Sequence, residues 1–210
     1  MAPKVKFQKN EIIEAAYNIA RLRGIDTVTA REVAAFLKIS PRPIFTYYDT
    51  MEELRHDVFE MAKEHYKDYL VRGLQAPVPF LGVGRQYIRF AREEPYLYKL
   101  LFLTRPDGTV GGVISAMAMS QDLVRDSIMK IYAMDAFTAD CYFRDLWLVA
   151  FSFATLIVTD ECPYTDEQIS AVLSEVSLAV CKAYKEIPGL AEGKADKDAV
   201  FKALVNKQKE

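Results

Sequence analysis

Apolar positions recur with a helical period along most of this 210-residue chain. In residues 10–23, Ile12, Ile13, Ala16, Ile19, Ala20 and Leu22 mark one helix, and Gly24 stops it. Thr29 and Glu32 have the S/T-x-x-E spacing of a capping box, which satisfies the free N–H groups of a helix start. A second helix is therefore expected from there, with Val33, Ala34 and Leu37 on its inner face; the small Ala34 lets a neighbouring helix come close. Lys38 and Ile39 form a turn. Ser40 suits an N-cap and Pro41 the first helical position, where a missing N–H costs nothing. Pro43 still falls in the first turn, so a short third helix is expected, with Ile44, Phe45 and Tyr48 as its apolar side. Thr50 and Glu53 repeat the capping box and open a longer helix from Met51 to about Arg72.

Residues 75–84 hold two prolines and two glycines and read as a linker or corner. Helical patterns resume over 83–94, which Pro95 interrupts, and over 96–103. A Gly- and Pro-containing loop covers 105–112. A long mixed helix is expected over 115–139, a strongly apolar one over 142–159, and another over 165–187, closed by Pro188–Gly189. Phe201, Leu204 and Val205 form an apolar stripe if the tail is helical, and fray with it if it is not. No strand-like alternation and no internal repeat interrupts this pattern. The fold class is all-α.

Composition alters this picture little. Half the residues are apolar, enough for a sizeable core. The net charge of -2 conceals an asymmetry: residues 1–50 hold eight Lys or Arg against five acids. Phosphate binding can rest on a few such cations and on helix N-termini, so the overall balance does not exclude nucleic acid. Cys141, Cys162 and Cys181 have no paired spacing and read as thiols in a reducing compartment. The opening residues lack a signal-peptide pattern, and the apolar run 146–159 is shorter than the ~20 residues of a transmembrane span, so a cytoplasmic protein without membrane attachment is expected.

Several strings in the first 55 residues carry a resemblance: Ile12-Ile13 with Ala16, Gly24, Val28-Thr29-Ala30-Arg31-Glu32-Val33-Ala34, Ile39-Ser40, Ile44-Phe45-Thr46-Tyr47-Tyr48 and Glu53-Leu54. Together they resemble the N-terminal domain of the TetR family of bacterial transcriptional regulators. The resemblance implies a three-helix helix-turn-helix DNA-binding domain over 1–55. A larger helical regulatory and dimerisation domain would span 56–189, followed by a tail or short helix over 190–210. It also implies roles. Thr29 would touch a phosphate, and Ser40, Arg42, Pro43 and Thr46 would lie on the exposed side of the recognition helix. Tyr47 would reach the DNA backbone with its hydroxyl. Arg42 suits guanine O6 and N7, and Pro43 offers only apolar contact, as to a thymine methyl. The chain departs from the family pattern at Lys38, where glycine is usual, and at Met51, where a phosphate-touching lysine is usual. If position 38 needs a positive φ, lysine costs about 1 kcal/mol there. Weaker non-specific binding than a typical member is the expected consequence of Met51.

Residues 87–98, reading YIRFAREEPYLY, are similar to the helix–Pro–helix passage of many members, and Leu146-Trp147 to a C-terminal helix of one branch. The aromatic and sulfur-bearing residues Tyr87, Phe90, Tyr98, Phe102, Met117, Tyr132, Phe137, Trp147 and Phe151 are candidates for lining an effector site; each is equally a candidate for plain core. A small, largely apolar or aromatic effector would suit them. Two short reading heads need a two-fold partner to reach a palindromic operator, so a homodimer is expected, with Val172, Val176, Leu178, Ala179 and Tyr184 at its interface.

An enzyme is the first rival reading. No catalytic triad, phosphate loop or paired metal ligands appear, and the two histidines, His56 and His65, have no ligand partner at metal spacing. Neither a catalytic residue, a metal site nor a cofactor is expected. The second rival is a helix-turn-helix scaffold that has lost sequence-specific DNA binding and takes only a ligand or protein partner.

Overall fold

Helix starts are set by the caps the sequence carries. The computed structural model describes residues 8–104 and 112–206. Lys4, Lys6 and all but the last residue of the 105–112 loop lie outside the described residues. Helix α1 spans Lys9–Arg23, with Gln8 and Glu11 forming its capping box; Gly24 ends it at φ 90°. Helix α2 spans Ala30–Leu37 and α3 spans Met51–Leu74. Thr29 Oγ1 accepts from the Glu32 N–H (3.2 Å), and Thr50 Oγ1 from the Glu53 N–H (3.3 Å). Both boxes are closed differently from the simple reciprocal form. The Glu32 carboxylate pairs with Arg23 (2.6 Å), and the Glu53 carboxylate accepts from the Asp49 N–H (3.0 Å).

Three expectations for this region are corrected. The segment after α2 is not a regular short helix. It is a turn from Pro41 leading into a single 3-10 turn, Ile44–Thr46. Bonds from Ile44 N–H to Pro41 O (3.1 Å) and from Thr46 N–H to Pro43 O (3.2 Å) hold it. Proline at 43 biases Arg42 away from the helical region. Among the described residues Ser40 makes no side-chain hydrogen bond, so it caps nothing. Phe45 is not core either: it is 51% exposed, whereas Ile44 and Tyr48 are buried.

Helix α4 spans Pro79–Glu93, so most of the expected linker is already helix. Its Gly82 meets Gly73 of α3 so closely that a Cβ on Gly82 would sit 2.3 Å from the Gly73 carbonyl oxygen. The two glycines let these helices cross backbone to backbone, which is why a glycine-rich stretch is helical here. Pro95 opens the short helix α5, Pro95–Tyr98, which passes into a π turn at Lys99–Leu103.

Helix α6 spans Val113–Tyr132 and α7 spans Ala136–Val158. The single long helix expected over 115–139 is broken: Ala133 takes a left-handed conformation (φ 50°), and the Asp135 carboxylate caps α7 by accepting from the Thr138 N–H (2.8 Å). The apolar run read as 146–159 is therefore the end of a 23-residue helix that is long and apolar enough to cross a membrane by length and composition. Half of its most apolar window is buried within the fold, where α7 packs against α4, α6 and α8.

Helix α8, Asp166–Glu186, starts at a full capping box of Thr165 and Gln168. Helix α9, Lys197–Asn206, forms in the tail and leaves Phe201, Leu204 and Val205 exposed. The architecture is all-α: an N-terminal three-helix region, α1–α3, followed by a larger helical region, α4–α9. Helix α3 crosses residues 55–56 without interruption and packs along α4.

Candidate nucleic-acid interface and internal cleft

The turn over residues 40–48 is fixed from beneath and presents its polar groups outward. Ile44 is fully buried, and the Tyr48 hydroxyl donates to Asp57 of α3 (2.8 Å). Lys9 of α1 reaches the same carboxylate (3.0 Å). Burial alone would raise the Asp57 pKa, but the hydrogen bonds from Lys9 and Tyr48 outweigh it and hold the carboxyl below its ordinary range. The start of α2 is tied to α3 by Arg55 Nη2 donating to the Val28 carbonyl (3.2 Å). Lys38 sits at φ 56°, ψ 43°, so the turn does take the left-handed conformation that glycine adopts at less cost.

Thr29, Ser40, Arg42, Thr46 and Tyr47 are exposed, while Pro43 is half buried. Arg31 and Lys38 are exposed beside them. No acidic group pairs with Arg31, Lys38 or Arg42 among the described residues, whereas Lys9, Arg21, Arg23 and Arg55 each have an acidic partner. Arg31 was not singled out by sequence reasoning; its helix position shows only that it is near Thr29, not that it escapes the carboxylate of Glu32, which Arg23 occupies. Met51 is half buried and packs on the core, so the α3 start carries no side-chain cation at that position.

A half-buried ion pair joins this region to the rest of the fold. Arg21 of α1 donates through Nε to the Glu94 carboxylate (2.7 Å) and through Nη2 to its other oxygen. Glu94 lies between α4 and α5 and is 3% exposed. His65 of α3 stands 3.9 Å from the same carboxylate and bonds the Tyr17 hydroxyl through Nδ1. Burial lowers the His65 pKa, partly opposed by Glu94, and raises Tyr17 to about 12.

An internal cleft opens between α3, α4, α6, α7 and α8, with a cavity of about 40 Å³. Of the aromatic candidates, Tyr87 and Trp147 line it directly. Phe90, Tyr98 and Phe102 are buried in an aromatic cluster around Tyr66 and Tyr87; the Tyr98 and Phe102 rings lie 4.8 Å apart and those of Tyr66 and Phe90 5.1 Å. Phe151 stacks on Trp147 at 5.0 Å and 22°. Tyr132 packs on Tyr142 (5.1 Å), Met117 is half buried, and Phe137 is exposed in the first turn of α7. The cleft also uses Tyr66, Phe80, Phe143 and Leu173, which sequence reasoning passed over. Phe80 fell in the stretch taken for a linker, and the others carry no local signal beyond helical periodicity.

On α8, Leu178 and Ala179 are exposed, while Val172 and Val176 are partly buried. Tyr184 is also partly buried, and its hydroxyl donates to Asp145 of α7 (2.5 Å). Three carboxylates here have structural work: Arg125 holds both Asp122 (2.9 Å) and Asp140 (2.7 Å), and Asp135 is a cap. No group of three or more His, Cys, Asp or Glu residues is placed to hold a metal among the described residues.

A helix, a left-handed turn and an exposed polar segment braced by a third helix define a helix-turn-helix reading head. Residues 12–58 match the family model described as bacterial regulatory proteins, tetR family, which makes the N-terminal region a helix-turn-helix domain of the TetR family. That family is one of transcription regulators, not of enzymes. No curated protein matches the chain.

Proposed function

We propose that the chain is a cytoplasmic, ligand-responsive repressor that binds a palindromic operator as a homodimer and is released by a small, largely apolar effector. Residues 1–55 act as the reading domain, 56–189 as the regulatory and dimerisation domain, and 190–210 as an appended tail. One observation carries this reading: the segment 40–48 is anchored by Ile44 and Tyr48 while Arg42, Thr46 and Tyr47 stay exposed, next to Arg31 and Lys38 with no acidic partner among the described residues. Arg42 reads a base edge. Thr29, Arg31, Lys38 and the Tyr47 hydroxyl meet phosphates, and Ser40 and Thr46 flank the groove contact.

A single 3-10 turn offers too few contacts for a specific complex by itself, so two copies are needed. The exposed Leu148 of α7 and Leu178 and Ala179 of α8 supply an apolar face for the pairing, and Val172, Val176 and Tyr184 border it. The scaffold reading, in which DNA binding is lost, is favoured by the shortness of the 3-10 turn and by the burial of Met51. A salt titration separates the two. With Arg31 and Lys38 neutralising about four phosphates per dimer, affinity for DNA from upstream of the gene falls about 100-fold between 50 and 200 mM salt. Binding that is absent, or indifferent to salt, supports the scaffold instead.

A further inference from the structure

We infer that the α3–α4–α6–α7–α8 cleft binds an uncharged, mostly apolar molecule carrying one hydrogen-bond acceptor, which takes the indole N–H of Trp147. The walls set the first half of this chemistry. Leu70, Phe80, Val83, Phe143, Leu146 and Ala150 are apolar, and among the described residues no Asp, Glu, Lys, Arg or His lines the space. An ion entering it would lose its hydration without gaining a counter-charge. Its present space, about 40 Å³, is below that of most small-molecule sites, so a ligand seats by displacing lining side chains.

The polar groups set the second half. The hydroxyls around the cleft are already engaged with one another: Tyr66 with Ser120 (2.9 Å), Ser120 with the Ala116 carbonyl (2.7 Å), Tyr87 with Tyr98 (3.1 Å) and Ser177 with Tyr142 (2.5 Å). Trp147 is the exception. It is 8% exposed, and its Nε1 is buried with no acceptor among the described residues. Indole nitrogen can only donate, and a buried donor left unmade is costly, so an acceptor arriving with the ligand gains affinity there.

Gly84 is an independent pointer to the same space. It lies inside α4, where glycine is unfavourable relative to alanine. Unlike Gly73 and Gly82, it is not required by packing: a Cβ there meets only the Leu173 side chain, at an ordinary 3.8 Å. Gly84 lines the cleft, and its missing side chain keeps room for a ligand.

The inference rests on the regulator reading only for its biological consequence, so its test contains no DNA. Trp147 is the only tryptophan in the chain, and its fluorescence reports the cleft directly. Three probes of similar shape separate the chemistries: 2-acetylnaphthalene, 2-isopropylnaphthalene and 2-naphthoate. Titration calorimetry and Trp147 fluorescence should show saturable binding of the ketone about tenfold tighter than of the hydrocarbon, and none of the anion. Trp147→Phe should abolish the preference for the ketone while keeping hydrocarbon binding. Gly84→Met should abolish both without lowering the melting temperature. Equal affinity for ketone and hydrocarbon, preference for the anion, unchanged binding by Gly84→Met, or no saturable binding of any probe would overturn the inference. Loss of DNA binding in a separate assay would bear on the regulator reading alone.

Discussion

Replacing Arg42 with alanine is expected to weaken binding to the upstream duplex at least 30-fold and to relax discrimination at one base position in each half-site. A bidentate arginine–guanine contact is worth about 1–3 kcal/mol, and a dimer loses it twice, so the combined loss is about 2 kcal/mol or more. Arg42 is exposed and no acidic side chain pairs with it among the described residues, so the substitution should leave the melting temperature unchanged. Lys38→Ala provides the contrast. It should weaken binding to all sequences alike and flatten the salt dependence, because a phosphate contact carries no base information. Competition binding against single-base variants of the duplex distinguishes these outcomes. If Arg42→Ala binds as tightly and as selectively as the parent, Arg42 does not read a base.

Arg21→Met is expected to cost about 3 kcal/mol of folding stability, the low end of what stranding one member of a buried pair costs. The low end applies because Arg21 is itself partly solvent-facing, while the Glu94 carboxylate it serves is buried. For a chain of this size the melting temperature falls by about 6–12 °C. The double change Arg21→Met with Glu94→Gln removes the stranded charge and should recover much of the loss. A pH series adds a signature. In the parent, burial and Arg21 oppose the His65 cation while Glu94 favours it; without Arg21 that opposition is weaker, so His65 protonates more readily in the folded variant than in the folded parent. A His65 held less far below its unfolded value costs the variant less stability than the parent as pH falls, so the defect of Arg21→Met should shrink on acidification. Thermal melts of the parent, the single and the double variant between pH 5.5 and 8 test this. A single variant as stable as the parent would mean that the pair adds nothing to the join between α1 and the α4–α5 corner.

That join was invisible along the sequence because Arg21 and Glu94 belong to different elements and are brought together only by packing. Local rules, by contrast, were legible. Thr29 and Thr50 start helices where their spacing to Glu32 and Glu53 says they should, and Gly24 ends α1. The strain at Lys38 was also readable, because the usual residue at that place is one that tolerates positive φ. Where two local signals competed, the reading failed. Pro41 and Pro43 each fit a first helical turn, yet Pro43 also biases Arg42 away from the helical region, and the segment closes as a 3-10 turn. Gly82 and Gly84 looked like chain breakers, but Gly82 is required by the crossing with α3 and Gly84 borders a space. The break between α6 and α7 was signalled only by the spacing of Asp135 to Thr138, which a dominant apolar period concealed. The reading surface was local enough to see in part, though Arg31 emerged only once Glu32 was found paired with Arg23. The cleft was half seen: aromatic content pointed to Tyr87 and Trp147, whereas Phe80 and Leu173 needed the helix packing to place them.

Sedimentation of the purified chain with a short duplex from upstream of its gene goes most directly to whether paired reading heads engage one DNA. The expected complex contains two chains per duplex, and two are found together without DNA at micromolar concentration. A chain that stays monomeric at that concentration and remains so when the duplex is added would contradict the account.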